Sequence, residues 1–394
     1  MRIRFVSPWY PDYLRAHSGI FVAKQVAAIR ASGHEVTVDV PQIFPAPPGP
    51  IPQSVTTAMR SLAGKSRSAM FASTNGVTYV PTPVPSRGGP MGRARAMSDS
   101  LSLLGEFRDE TPDLIHAHLG MPTAWAVSQT HRNLPLVVTE HQSTLAAVFA
   151  EPSSARAYSE VVSRADAFIC VSEHLRDQIA DALGDWARQR IEVIPNIVDL
   201  TEIPFQERRN PEFTSWIYVG GLMAHKGVQT LLRVFAEYVA KYDHDAHLTM
   251  VGDGPLRGWI EEFATIRGLS NSVRLAGSVP HDQLGGYLAQ ADVMVHLSPA
   301  ETFGIAPLEG IGSGLPVVSL RNAGAVNTWG DIEQQCGLLV PMEAPPAEIA
   351  GAVSDLRSSA RRLEPTAGRR VIVDRYSPQV VASQLVAVYA KVLR

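Results

Sequence analysis

The sequence predicts an α/β chain built from two doubly wound domains. Three observations carry this. The chain opens on a strand–helix–strand unit: apolar Ile3–Ser7, a helical spacing of Ile20, Val22, Val26, Ala27 and Ile29, then a strand over Glu35–Val40. The alternation starts again at Ser215–Val219, with a helix from Lys226-Gly227 to about Tyr242 and a strand at His247–Val251. The length, 394 residues, suits two or three domains.

Hydrophobic residues make up 45% and charged residues 19%, the balance of a globular enzyme. A net charge of −3 supplies no global basic field, so nucleic acid is not an expected partner. Cys170 (FICVS) and Cys336 (QCGLLV) are isolated in strand-like contexts and read as packing residues, which suits a reducing cytoplasm. Met1–Ser7 is too short for a signal-peptide core, and no run approaches the ~18 apolar residues of a membrane span. A cytoplasmic location is expected.

In the first half, Pro8–Ser18 reads as a loop and Gly19 opens the first helix, capped by Gly33. Gly19 is either a turn that only starts the helix or a point where backbone approaches a ligand. Pro41–Pro52, with six prolines, reads as loop. Residues 51–98 hold six basic and no acidic residues: a solvated face, or weak contact with an anionic membrane or acceptor. Leu114 and Ile115 read as the end of a strand, placing His116 and His118 at its carboxyl end, where open α/β sheets bind ligands. Leu136–Thr139 is the next strand, ending in Glu140-His141-Gln142-Ser143; His141 either enters a cleft or caps the strand. Ala167–Val171 and Ile191–Pro195 complete this half.

In the second half, Val273–Gly277 and Asp292–Leu297 read as further strands. Asp243-His244-Asp245 has the look of a metal motif, but it falls at a helix end before a strand and is read as a turn. No metal site is expected: His116 and His118, two apart, could be ligands, but no Cys or third His arrives with zinc spacing. The chain centres on Pro299–Ser319, PAETFGIAPLEGIGSGLPVVS. Phe303-Gly304 reads as a sharp turn, Pro307 fits a first helical turn, and Gly314 with Pro316 stops the helix. Glu301 then lies before the helix and Glu309 within its first turns. The free N–H groups within residues 303–307, where Pro307 itself has none, favour an anion such as phosphate. The carboxylates can accept hydrogen bonds from sugar hydroxyls. Phosphate and hydroxyls together suggest a nucleotide sugar. Pro378–Leu393 reads as an amphipathic helix.

The Glu301–Glu309 pair resembles the E-x7-E region of retaining glycosyltransferase family 4, and the resemblance runs over nearly the whole chain. It implies the GT-B fold: two Rossmann-like domains facing a central cleft. Residues 1–200 would bind the acceptor and 201–377 the nucleotide sugar, with helix 378–394 packing back on the first domain. Ser18-Gly19 stands where the family has Gly-Gly, D113-x-x-H-x-H118 and the T-x-H segment ending at His141 match, and Ile197 replaces the Gly of P-N-G-V-D. The family's G-R-L-x-x-x-K-G loop is here Gly220 to Gly227, with Lys226 kept and Gly221 in the Arg position.

The resemblance implies a metal-independent, cofactor-free transfer of a hexosyl group from a UDP- or GDP-linked sugar with retained configuration. His118 and Glu301 would act on the transferred sugar as catalytic residues. Gly19, Gly220, Lys226, Ser278, Phe303, Gly304, Ile305 and Glu309 would bind the donor, Glu309 through its ribose. His141 and Ser143 would meet the acceptor, whose identity stays open among natural products, cell-envelope glycans or lipids and small metabolites. A non-transferring enzyme of the same fold, such as an epimerase, and an inert binding subunit are the alternatives. A solvated face is the preferred reading of 51–98, with weak peripheral contact at the inner membrane face as the alternative.

Overall fold

The computed structural model describes residues 1–12, 18–46, 73–85, 89–106, 108, 110–143, 145–207 and 212–394. The chain divides into two compact units, Met1–Pro195 with Val381–Arg394, and Asn196–Val380.

The first unit holds an eight-stranded sheet. Its strands are β1 (Arg2–Val6), β2 (Glu35–Ala46), β3 (Ser73–Thr74), β4 (Val77–Pro85), β5 (Leu114–His118), β6 (Leu136–Glu140), β7 (Ala167–Cys170) and β8 (Ile191–Val193). Their order is β3-β4-β2-β1-β5-β6-β7-β8, with only β3 antiparallel to its neighbour. β5, β6 and β7 are buried at every position, as strands covered by helices on both faces must be. Helix Ile20–Ala31 crosses from β1 to β2 and buries Val22, Val26 and Ile29. Helix Pro378–Val392 contributes Val381, Leu385 and Tyr389 to buried positions.

Two expectations for the first unit need correction. Pro41–Pro52 is not all loop: β2 continues to Ala46, paired with β4 from Pro41↔Val80 to Ala46↔Pro85. β1 pairs with β2 only as far as Asp39. Beyond that point one side of β2 has no ladder to complete, so prolines cost it no hydrogen bond. Positions 47–52 lie outside the described residues. β5, likewise, does not end at Ile115 but runs through both histidines, with His116 opposite Val137 and His118 opposite Thr139. Of the basic stretch 51–98, residues 51–72 and 86–88 lie outside the described residues. Arg93 and Arg95 are exposed on helix Gly89–Gly105, whose other face buries Ala94, Met97, Leu101 and Leu104.

The second unit holds six parallel strands, β9 (Ser215–Val219), β10 (His247–Val251), β11 (Val273–Gly277), β12 (Val293–His296), β13 (Val317–Leu320) and β14 (Gly337–Val340), in the order β11-β10-β9-β12-β13-β14. Trp216, Leu231, Phe235, Leu248 and Val295 lie at the centre of its core. Each such side chain contributes about 1.5–3 kcal/mol by leaving water. Cys336 ends the short helix Glu333–Cys336 and precedes β14, so it is not a strand residue; it is buried, as Cys170 is in β7. Asp243 spends its carboxylate on a turn, accepting from Thr214 Oγ1 at 2.8 Å and from the Asp245 N–H at 3.0 Å. No helix among the described residues is long and apolar enough to cross a membrane.

Candidate active site

In the second sheet the strand order reverses between β9 and β12, which are hydrogen-bonded neighbours. Connections leave the two strands toward opposite faces there, opening a crevice at their carboxyl ends. The loop after β9 carries Gly220 and Lys226, and the loop after β12 carries Glu301. Gly227 brings the loops together. Its φ of 68° is left-handed, and a Cβ there would lie 1.7 Å from the Leu297 carbonyl oxygen. Only glycine fits so close an approach.

The consequence is a direct ion pair. Lys226 Nζ donates to Glu301 Oε1 at 2.8 Å and to Oε2 at 3.0 Å. His296, the last residue of β12, places Nε2 3.2 Å from the same Oε1. The imidazole lies flat on the Tyr218 ring, 5.5 Å between centroids and 8° between planes. The Tyr218 hydroxyl donates to the Gly221 carbonyl at 3.0 Å. Burial pushes the Glu301 carboxyl up, but the hydrogen bond and charge of His296 and the Lys226 ammonium outweigh it, bringing the pKa down to about 2.

Helix Ile305–Ser313 follows, entered through Gly304 with φ 85° and closed by Gly314 with φ 90°. No side chain caps its first turn, so those N–H groups remain available to an anion. Phe303 is buried and meets Tyr376 edge-on at 5.2 Å, which leaves its backbone, not its ring, for a ligand. Glu309 is buried in the second turn of this helix and accepts from His281 Nε2 at 2.8 Å. His281 begins helix His281–Ala289, just after the exposed Ser278. Gly221 has no left-handed φ, and the atoms nearest a Cβ there are those of the Met223 side chain, at 3.7 Å, ordinary van der Waals contact. A larger residue is therefore accommodated at this position.

In the first unit the strand order reverses between β1 and β5. Gly19, with φ 65°, would put a Cβ 2.2 Å from the Trp9 carbonyl oxygen, so glycine is required for the loop after β1 to fold back on itself. His116 bonds Tyr389 Oη and Thr139 Oγ1, each at 2.7 Å. His118 Nδ1 lies 2.9 Å from His141 Nε2, the rings stacked at 18°. His118 Nε2 is buried and takes no hydrogen bond among the described residues. Ser143 is exposed. Glu140 holds the two histidine-bearing segments in register. Its buried carboxylate accepts from the N–H groups of Gly120, His141 and Gln142 and from Tyr158 Oη, all at 2.8–2.9 Å.

Burial, reinforced by neighbouring imidazoles, holds His116 down at about 3 and His118 well below the ordinary 6.5. Both rings are therefore neutral near pH 7. The unfolded chain binds protons on these rings below about pH 6.5 and the folded unit does not, so stability falls as pH drops from 6.5 toward 3. The expected slope is about 1.4 kcal/mol per pH unit for each such histidine. Urea unfolding at pH 7 and pH 5, followed in wild type and in His116→Asn, checks this: the variant should lose less on acidification.

The structure thus joins Lys226 to Glu301 and His118 to His141, and sets Glu309 apart with His281. His281, His296, Tyr218 and Glu140 were not among the residues expected from sequence. His296 carried one signal, a polar residue ending an otherwise apolar strand (VMVH) immediately before the central motif.

Two family descriptions match the chain: "Glycosyltransferase Family 4" over residues 18–202 and "Glycosyl transferases group 1" over 214–359. A glycogen synthase of Mycobacterium tuberculosis is 27% identical, over 99% of this chain and 94% of that protein. The sucrose-phosphate synthase of Thermosynechococcus elongatus has a similar structure at TM-score 0.72, 18% identity, covering 99% of this chain and 98% of the other. So has HepE of Anabaena, solved with UDP and glucose, at TM-score 0.66 and 17% identity over 99% and 100%.

Proposed function

The chain belongs to glycosyltransferase family 4, with the GT-B fold, and from that premise we propose that it moves a sugar from a UDP- or GDP-linked donor to an acceptor hydroxyl with retained anomeric configuration. The observation that carries this reading is the Lys226–Glu301 pair at the β9/β12 switch point, beside an uncapped helix N-terminus. A cation and free N–H groups receive the diphosphate, and the carboxylate receives sugar hydroxyls. Gly19, Gly220, Gly304 and the backbone of Phe303 and Ile305 add N–H groups or close approach for the phosphates. The Ser278 loop meets the base and Glu309 the ribose. His118, neutral and with Nε2 unbonded, is suited to a sugar hydroxyl, and His141 with Ser143 to the acceptor.

The bond from the acceptor oxygen to the anomeric carbon forms on the face from which the diphosphate leaves. The acceptor proton passes to a departing phosphate oxygen. The protein's part is positional and electrostatic. Charge on the leaving group is met by Lys226 and helix N–H groups, so a chelator should leave turnover unchanged. UDP and glucose are the first donor components to try, since HepE was solved with both and glycogen synthase is a relative.

The test is a panel of sugar nucleotides scored by thermal shift and by slow hydrolysis, which needs no acceptor. Glu309→Ala should weaken the donor nucleotide about 10- to 100-fold, the roughly 1.5–3 kcal/mol of a hydrogen bond to a charged group. Unchanged affinity by calorimetry in a folded variant would remove Glu309 from the site.

A further inference from the structure

Each of the two glutamates is met by a histidine, but the two pairs differ in kind. Glu301 is shared between His296 and Lys226, whereas Glu309 has His281 alone among the described residues. The Glu309 side chain is 7% exposed and that of His281 16%. A carboxylate that far from water needs a hydrogen-bond partner. The 2.8 Å contact requires the tautomer with hydrogen on Nε2, because an ionised carboxylate can only accept. That bond engages Oε1 and restrains the turning of the carboxylate, leaving Oε2 without a donor among the described residues.

His281 is also fixed in its own right. It is the first residue of helix His281–Ala289, directly behind Pro280, whose ring sets the backbone entering the helix. The segment Ser278–Pro280 and the glutamate on helix Ile305–Ser313 are therefore linked through one imidazole.

We propose that His281 is a positioning residue for recognition of the donor's ribose: it aims Glu309 so that the carboxylate reads the vicinal 2′- and 3′-hydroxyls. This rests on the donor reading given above. A carboxylate held in one plane distinguishes a diol from a single hydroxyl better than one free to turn, because a mobile carboxylate can swing to satisfy whichever hydroxyl remains.

The experiment compares ribose with deoxyribose. UDP against 2′-deoxy-UDP, and GDP against 2′-deoxy-GDP, are titrated by calorimetry into wild type, His281→Leu and His281→Gln. Leucine keeps the volume and removes the donor; glutamine keeps one N–H. Wild type should prefer the ribonucleotide about tenfold, the order expected for one charged hydrogen bond. His281→Leu should compress that ratio to about twofold or less, with His281→Gln between them. If wild type discriminates and His281→Leu discriminates equally, the inference is overturned and the donor reading stands. If wild type does not discriminate, or binds neither diphosphate, the donor reading falls and the inference with it. Should His281→Leu not fold, His281→Ala carries the same expectation.

Discussion

Glu301→Gln should reduce turnover about a hundredfold or more, yet bind free nucleoside diphosphate as tightly as wild type or several-fold tighter. The first part follows from the proposed contact with the transferred sugar, where removing one preorganised polar group costs about 10²–10³ in rate. The second follows from the ion pair. Lys226 gives Nζ to both oxygens of Glu301, and the carboxylate lies well below its ordinary value of 4.5. A diphosphate must draw Lys226 away from that partner. Glutamine keeps the shape and drops the charge, so the ammonium becomes cheaper to recruit. Opposite movements of kcat and nucleotide affinity are hard to produce by general damage to the fold. Steady-state kinetics with calorimetry on one preparation decides it. A variant that keeps wild-type turnover removes Glu301 from the reaction.

The same pair fixes a pH expectation. Because the folded carboxyl sits at about 2, its contribution to stability is complete above about pH 4.5 and lost as pH falls through 2. Glu301 remains ionised through the working range. An acid limb in the activity profile would then have to come from another group.

Lys226→Ala should weaken nucleoside diphosphate by about a hundredfold, the upper end of a charged hydrogen bond at roughly 3 kcal/mol. The loss should lie at that upper end because Glu301 is then left to repel the phosphates. Lys226→Ala/Glu301→Gln should regain part of the affinity, a coupling that a double-mutant cycle measures directly. Gly221→Arg should act in the opposite direction, tightening binding about tenfold, since a guanidinium grips phosphate bidentately and the backbone at 221 accepts a side chain. Arg274 is not a substitute: it lines a separate cavity of about 250 Å³ with Ser215 and His247, the first residues of β9 and β10. That is the amino edge of the sheet, opposite Lys226. Wild-type affinity in Lys226→Ala would place the phosphate site elsewhere.

Local pattern revealed much of the second unit. Ser215–Val219, His247–Val251 and Val273–Gly277 were legible to the residue because each is a short apolar run bounded by turn residues. Helix Ile305–Ser313 was legible because Gly304 and Gly314 punctuate it. The extension of β2 through Pro41 and Pro45 was not, because whether proline interrupts a strand depends on which edge carries a neighbour. His118 does end β5, but His116 lies inside it, which the sequence did not show for a related reason. A polar side chain inside a buried strand looks anomalous until its partners are known, and one partner of His116, Tyr389, lies 273 positions away. The ion pair between Lys226 and Glu301 spans 75 positions. Both residues could be picked out singly, but their contact depends on β9 and β12 being neighbours.

The first unit is discontinuous, and this bears on the order in which the protein comes off the ribosome. Residues 381–394 are translated only after the whole of Asn196–Val380. Until then the site that Tyr389 fills is open, His116 lacks the hydroxyl that satisfies Nδ1, and Val381 and Leu385 are absent from the buried positions they take in the folded unit. The second unit is one uninterrupted segment and can complete its core as soon as its own last helix emerges. Although vectorial synthesis ordinarily favours the domain encoded first, here the later-encoded unit is the first able to finish.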